Sequence, residues 1–466
     1  MRLGVAAIAR PTFDVPFAEA TAQGAFAALD SLGDTTVTGP RHVVLDDAGL
    51  TAAAAELEAA DFDVLVIVQA SFADSTLVAR LAATTAAPIL LWAFPEDRSG
   101  GRLRLNSLCG INLAAYVLRA EDRDIRHLYA DPGDAATSER LAQLLAMPPA
   151  AAGSAPTDVV SDEADREAAD AVATRLASAR IGIIGDRPSG FEPCDYDAAE
   201  LLRTTGVTAE AVPLPQLFAR GAAAPTDAVA TVRRSFAAEL TGTDDLDQDS
   251  LDQSVRLHLG LTDLVASERW DAVATRCWPE CFTEFGGAAC APQSRLNQKL
   301  GVPGLCEADA YGAVTSLILQ WLGKEPAFVA DLIHLDPTDN TAVFWHCGLA
   351  PLSMADPATS PQATVHSNRR LPLLYEFPLK AGRVTIARLS QSRGRHRLVI
   401  GGAEMVHTPL PFSGTAGVAR MDQPVDSVLS TVIQEGLEHH YGIVYGDVRG
   451  PLHALADKLD FEVVAL

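Results

Sequence analysis

Three short segments of this chain carry the residue types that proton transfer or cation binding requires. In the first, Arg276-Cys277-Trp278-Pro279-Glu280 follows the apolar run 271–275. Glu280 therefore falls at the C-terminal end of an expected buried parallel strand, where open α/β sheets bind ligands; a surface glutamate is the competing reading. The second is Cys306-Glu307-Ala308-Asp309, ahead of the helix-like stretch 311–322. If it is extended, Glu307 and Asp309 project to one side, and two carboxylates there need a cation, a shared proton or solvent to relieve their repulsion. Asp309 equally suits a helix N-cap. The third comprises His346, in Phe344-Trp345-His346-Cys347-Gly348, and the pair His439-His440. Such histidines also serve as core residues, but converging with the carboxylates they suit a hard or borderline cation such as Mn²⁺ or Mg²⁺. Seven cysteines are scattered along the chain. Five lie between Cys277 and Cys347 without paired C-x-x-C spacing, so buried reduced thiols are favoured over a zinc site or a disulfide framework.

The elements that must position these groups follow from the hydrophobic pattern. Apolar runs at 3–9, 64–68 and 88–93, separated by spacers of helical length, predict a parallel sheet covered on both faces. Residues 147–156, rich in Pro and Ala, read as a linker. A second α/β unit opens at Arg180-Ile181-Gly182-Ile183-Ile184-Gly185 and runs through the strand 271–275. Its glycines do not match G-x-G-x-x-G and no Walker lysine follows, so Gly185 and Gly190 are read as shaping a strand-to-helix turn. From about residue 372 short β-rich runs (373–377, 383–389, 396–400) predict an antiparallel barrel or sandwich, followed by helix, strand, helix and strand to the C-terminus.

The 466-residue chain, 48% hydrophobic, is long enough for several cores. Sixty acidic against 36 basic residues leave a net charge of −24, which disfavours nucleic acid and anionic membrane surfaces as partners. No apolar run reaches the ~20 residues that span a bilayer, and the N-terminus enters a strand directly, so a cytoplasmic location is expected.

With these residues in place, the chain resembles the L-fucose and L-arabinose isomerases. Gly436-Leu437-Glu438-His439-His440-Tyr441-Gly442-Ile443-Val444-Tyr445-Gly446-Asp447 looks like the C-terminal metal-histidine segment of the fucose isomerases. Cys306-Glu307-Ala308-Asp309 resembles the acidic segment of both groups, and Trp345-His346-Cys347-Gly348 a metal-histidine segment of the arabinose isomerases. Arg10-Pro11-Thr12-Phe13 and residues 101–110 fit divergent members. The resemblance implies two Rossmann-like domains (1–148 and 165–330), a β-barrel-containing C-terminal domain (331–466), a trimer or hexamer with sites shared between subunits, and Mn²⁺, with Mg²⁺ or Co²⁺ as alternatives. It implies Asp309, His440 and His346 as metal ligands. One carboxylate departs from the pattern: Ala330-Asp331 stands where arabinose isomerases place a second glutamate, so Glu280 is assigned to that role. Arg10, Arg102 and Asn106, together with Arg276, Trp278 and His439, are the expected sugar-binding residues.

The activity so implied is aldose–ketose isomerisation through an enediolate, with Glu280 and Asp309 as the acid–base pair and Glu307 in reserve. A non-catalytic sugar sensor and a metal-dependent epimerase or aldolase are the rival readings. Arg276, Arg369 and Arg370 are the candidates for recognising an anionic group on the sugar, against a purely surface role. Arg10, Arg102, Arg104 and Asn106 are expected to close a neighbouring subunit's site.

Overall fold

A computed structural model describes residues 1–146 and 159–466, so the expected linker lies outside the described residues. Six strands form the first sheet: β1 (Arg2–Ile8), β2 (Thr36–Thr38), β3 (Val43–Val44), β4 (Val64–Gln69), β5 (Ile89–Ala93) and β6 (Ile125–Tyr129). All pairings are parallel, in the order β2-β1-β4-β5-β6, with β3 also against β1. Parallel neighbours need a crossover, and the helices Val15–Asp30, Asp47–Glu58, Ser75–Ala82 and Ser107–Ala120 lie in those connections. This explains why β4 and β5 are buried along their whole length. Each Val, Ile or Leu in them contributes about 1.5–3 kcal/mol by leaving water.

The second sheet is parallel as well, ordered β10-β9-β7-β8, with β7 (Arg180–Ile184), β8 (Thr208–Val212), β9 (Ala272–Thr275) and β10 (Gly304–Leu305). In both sheets the order reverses beside the first strand, between β1 and β4 and between β7 and β9. Chain leaving the carboxyl ends there opens a crevice. Arg10 and Phe72 leave the first sheet at that point, and Trp278 leaves the second; Glu307 follows the neighbouring β10.

The third sheet is mixed and nine-stranded. It contains β11 (Phe328–Asp336), β12 (Thr341–His346), β13 (Gln362–Thr364), β14 (Leu374–Pro378), β15 (Gly382–Ser390), β16 (Arg397–Val406), β17 (Thr415–Met421), β18 (His440–Tyr445) and β19 (Glu462–Ala465). Their order is β13-β14-β17-β12-β11-β18-β15-β16-β19, and β16 also pairs with β17. Most pairings are antiparallel, while β14–β17 and β16–β19 are parallel. The sheet therefore begins over 40 residues before the expected change of period at 372. Strand β11 is buried almost throughout, so it shows no apolar–polar alternation to betray it.

Candidate active site

Asp309 anchors the site. It is the N-cap of the helix Ala310–Gly323 and accepts from the Gly312 backbone N–H at 2.9 Å. Arg388, from β15, donates to both carboxylate oxygens at 2.6 and 3.0 Å, and His440 Nδ1 lies 2.8 Å from Oδ2. All three side chains are buried. Burial alone raises an aspartate's pKa, but Arg388 and the contact with His440 outweigh it and hold Asp309 far below the usual carboxylate range. With its oxygens thus engaged, Asp309 sits behind His440. A proton on Nδ1 shared with Asp309 leaves Nε2 free to face forward as an acceptor.

In front of His440 stand two other carboxylates. Its Nε2 is 3.5 Å from Glu307 Oε2 and 3.6 Å from Asp331 Oδ1. Glu307 is also 3.1 Å from His439 Nε2 and accepts from Trp278 Nε1 at 3.2 Å. The segment is not extended: Glu307 and Ala308 both have positive φ, 63° and 56°, a conformation disfavoured for residues with a Cβ. This turn separates Glu307, which faces the pocket, from Asp309 behind it. Asp331 reaches the same place from β11, where it pairs across the sheet with Trp345 on one side and His440 on the other.

The two front carboxylates are tuned apart. Burial pushes Glu307 up, but the His439 hydrogen bond and the neighbouring imidazoles hold it down to about 2. Asp331 is raised, because burial outweighs the same imidazoles. Its Oδ1 is buried without a hydrogen-bond partner, as is His439 Nδ1. Ligand atoms of Asp331, His346 and His440 lie within 4.8 Å of one another, as do those of Cys194, Glu307, His439 and His440. His440 belongs to both sets. An orphaned carboxylate oxygen beside imidazole nitrogens is a donor set that fits a divalent cation of the oxygen- and nitrogen-loving kind.

Glu307, Asp331, His346 and His439 line one end of a pocket whose other residues come from all three sheets. Arg10, Phe13, Phe72 and Asn106 enter from the first, Phe191 and Trp278 from the second, Trp345, His366 and Arg369 from the third. Arg10 and Asn106 thus close the pocket of their own chain. Asn106 sits at φ 50° as N-cap of the helix Ser107–Ala120, and its Oδ1 is buried without a partner. Arg102 stands at the rim, donating to Thr12 O and Asn368 Oδ1 at 2.8 and 2.9 Å, while Arg104 pairs with Asp14 outside the lining.

Glu280 and Arg276 are not brought to this pocket. They clasp each other through two 2.7 Å hydrogen bonds and line a separate concavity with Asp186 and Tyr196. The Arg276 hydrogen bonds hold the Glu280 pKa below its ordinary value, which suits an ion pair. Arg370 is also outside the lining. Conversely, Asp331 and Arg388 received no role from the sequence. Each is a charged residue inside an apolar strand, Phe-Val-Ala-Asp-Leu-Ile and Val-Thr-Ile-Ala-Arg-Leu, and such a residue is almost never buried without a partner or a task. All seven cysteines are free; Cys290 and Cys347 bring their sulfurs to 3.6 Å.

Comparison with known proteins agrees with this architecture. Residues 4–148 match the N-terminal domain of the fucose/sulfoquinovose isomerases. The chain is 32% identical over 410 residues to a sulfoquinovose isomerase of Alkalicoccus urumqiensis, covering 87% of this chain and 86% of that one. It is 29% identical over 457 residues to a sulfoquinovose isomerase of Priestia aryabhattai, covering 98% and 97%. A third, from Clostridium sp. (strain MSTE9), is 30% identical over 457 residues, covering 97% and 96%. The chain therefore belongs to the fucose/sulfoquinovose isomerase family, and it is an isomerase.

Proposed function

We propose that the protein interconverts an aldose and its ketose by moving a proton between C1 and C2, and that the aldose is sulfoquinovose, a glucose bearing a sulfonate at C6. The observation that carries the reaction is the grouping of Glu307, Asp331, His346 and His439 at one end of a single pocket, with His440 Nε2 3.5 Å from Glu307 and 3.6 Å from Asp331. Asp331, His346 and His440, with Glu307 beside them, would hold a divalent cation, Mn²⁺ foremost and Mg²⁺ or Co²⁺ as alternatives. Bound there, the ion supplies Lewis-acid polarisation of the substrate's carbonyl and hydroxyl oxygens.

The chain's own residues do the remaining work. Asp331, whose buried Oδ1 has no hydrogen-bond partner and faces the pocket beside His440, is the group placed to take a proton from carbon and return it to the neighbouring carbon. Glu307, held ionised, accepts hydrogen bonds and fixes the orientation of His439 and Trp278. Asp309 and Arg388 act from behind, presenting His440 Nε2 to the pocket. In this reading Asp331 takes the acid–base role expected from sequence for Glu280 and Asp309, and Asp309 becomes a positioning group. The aromatic residues Phe72, Phe191 and Trp278 offer apolar faces to the sugar and exclude water.

We also read the six strands β17-β12-β11-β18-β15-β16 as a closed antiparallel barrel. The β16–β17 pairing supports this reading because it joins the two ends of the series. The units 1–148, 165–330 and 331–466, and assembly as a trimer or hexamer, complete the reading.

The deciding experiment incubates the protein with sulfoquinovose and Mn²⁺ in D₂O and follows it by NMR. Appearance of the ketose isomer is the expected result, with deuterium entering at C1 or C2 wherever the relayed proton exchanges with solvent. An aldose epimer or carbon–carbon cleavage products instead would establish the epimerase or aldolase reading. Saturable binding with no product would establish the sensor.

A further inference from the structure

The pocket is bipolar, and its second pole has no role in the proton transfer. Trp278 connects the two ends: its indole N–H donates to Glu307 at 3.2 Å, while its ring carries two guanidinium groups. Arg10 Cζ lies 4.6 Å from the ring centroid and Arg369 Cζ 4.8 Å from it. Arg369 is also 5.3 Å from the Phe282 ring. Two cations sharing one aromatic ring repel each other, and neighbouring carboxylates would ordinarily relieve that repulsion. Here relief is slight. The nearest carboxylate to Arg10 is Asp74 at 3.9 Å, and among the described residues Arg369 forms no ion pair. Among the described residues, the polar contact of the Arg369 guanidinium is with His366 Nε2, at 3.4 Å. In a chain with a net charge of −24, two half-buried arginines inside one pocket, one with a carboxylate no nearer than 3.9 Å and the other with no ion pair among the described residues, are a feature that calls for an anion.

We propose that Arg10 and Arg369 over Trp278 form the subsite for the anionic end of the substrate, and that Arg369 decides the preference for a sulfonated over a neutral aldose. This inference rests on the isomerase reading for the opposite end of the pocket. A sulfonate suits the subsite because it is ionised at every physiological pH and offers three oxygens to planar guanidinium forks, which bind oxyanions bidentately. The aromatic floor keeps water from competing with those contacts. Trp278 then serves both ends, holding Glu307 through its N–H and stacking the arginines on its face.

The test compares wild type, Arg369→Gln and Arg369→Lys with two substrates, sulfoquinovose and the neutral 6-deoxyglucose. Binding is measured by calorimetry beside kcat and KM, and circular dichroism confirms the fold. Arg369→Gln is expected to raise KM and Kd for sulfoquinovose about 30-fold. The same change should alter kcat/KM for 6-deoxyglucose far less, so that the preference for the sulfonate collapses. Arg369→Lys, which keeps a charge but loses the fork, should fall between. Equal losses on both sugars, or an unchanged ratio, would overturn the proposal. A wild-type preference for glucuronate or glucose 6-phosphate would overturn sulfonate as the anion. If sulfoquinovose binds wild type in an Arg369-dependent manner yet no ketose forms, the anion subsite stands and the isomerase reading fails.

Discussion

His440 is the residue on which the site turns, because it touches three carboxylates that do different things. Asp309 fixes its Nδ1 side, while Glu307 and Asp331 face its Nε2 side. Asp331→Asn should lower kcat by 100-fold or more, about the contribution of a positioned acid–base group. It should also raise Tm of the ion-free protein, by roughly 2–4 °C, because it removes a carboxylate whose ionisation burial opposes. A drop in both activity and Tm would contradict that assignment. Glu280→Gln should stay within about threefold of wild-type turnover, since it removes only a part-exposed ion pair with Arg276 worth about 1 kcal/mol or less. Loss of turnover with the fold intact would restore Glu280 to the mechanism. Acid stability follows from Glu307, whose pKa falls from 4.5 to about 2 on folding. As pH drops, the unfolded chain takes up its proton first, so the stabilisation is full above about pH 4.5 and drains towards pH 2. Asp309 shifts in the same sense. The urea midpoint should therefore fall between about pH 5 and 3, and less steeply in Glu307→Gln.

Among the elements, the helix Ala310–Gly323 and the strands β11, β15 and β18 decide whether these residues meet. Gly312, in the first turn of that helix, is where Asp309 and Arg388 approach the backbone. A Cβ there would lie 2.4 Å from Asp309 Oδ2 and 3.0 Å from Arg388 Nη1. Alanine is intrinsically the better helix former by about 1 kcal/mol, so a neutral or stabilising effect is the outcome if the contact is unimportant. We expect the opposite: Gly312→Ala should lower both Tm and kcat, because it separates Asp309 from Arg388 and releases His440. Arg388→Met should be worse, destabilising by about 3–5 kcal/mol through the unpaired buried carboxylate it leaves, as read by urea denaturation.

At the level of the whole molecule, one chain supplies both poles of the pocket, with Arg10 and Asn106 beside Glu307 and His439. Specific activity should then be independent of protein concentration across any dissociation seen by light scattering. Activity lost on dissociation would mean that a second subunit contributes after all. The three sheets rest on buried apolar strands, so they do not depend on an ion for their cores. Chelation with EDTA should abolish turnover while leaving the circular dichroism spectrum unchanged, and Mn²⁺ should restore it. Full activity in protein shown to be ion-free would reject the cation-assisted mechanism.

The sequence alone determined the two parallel sheets, because long apolar runs separated by helical spacers admit few other arrangements; β1, β4, β5, β7 and β9 lie where that pattern put them. It also singled out Glu307, Asp309, His346, His439 and His440, each a polar residue set beside apolar runs. Tertiary structure alone decided where they stand. A left-handed turn at Glu307 and Ala308 sends one carboxylate forward and the other back, which no period-two argument can show. Arg388 reaches Asp309 across 79 residues of chain, and Asp331 meets His440 only through the register of β11 on β18. Glu280 stands apart for the same kind of reason: it follows a strand end as its position suggests, but it is ion-paired with Arg276, four residues earlier, and lines a separate concavity. Spacing along the chain reports which groups are available, whereas charge pairing and burial, which depend on distant segments, select the ones that act.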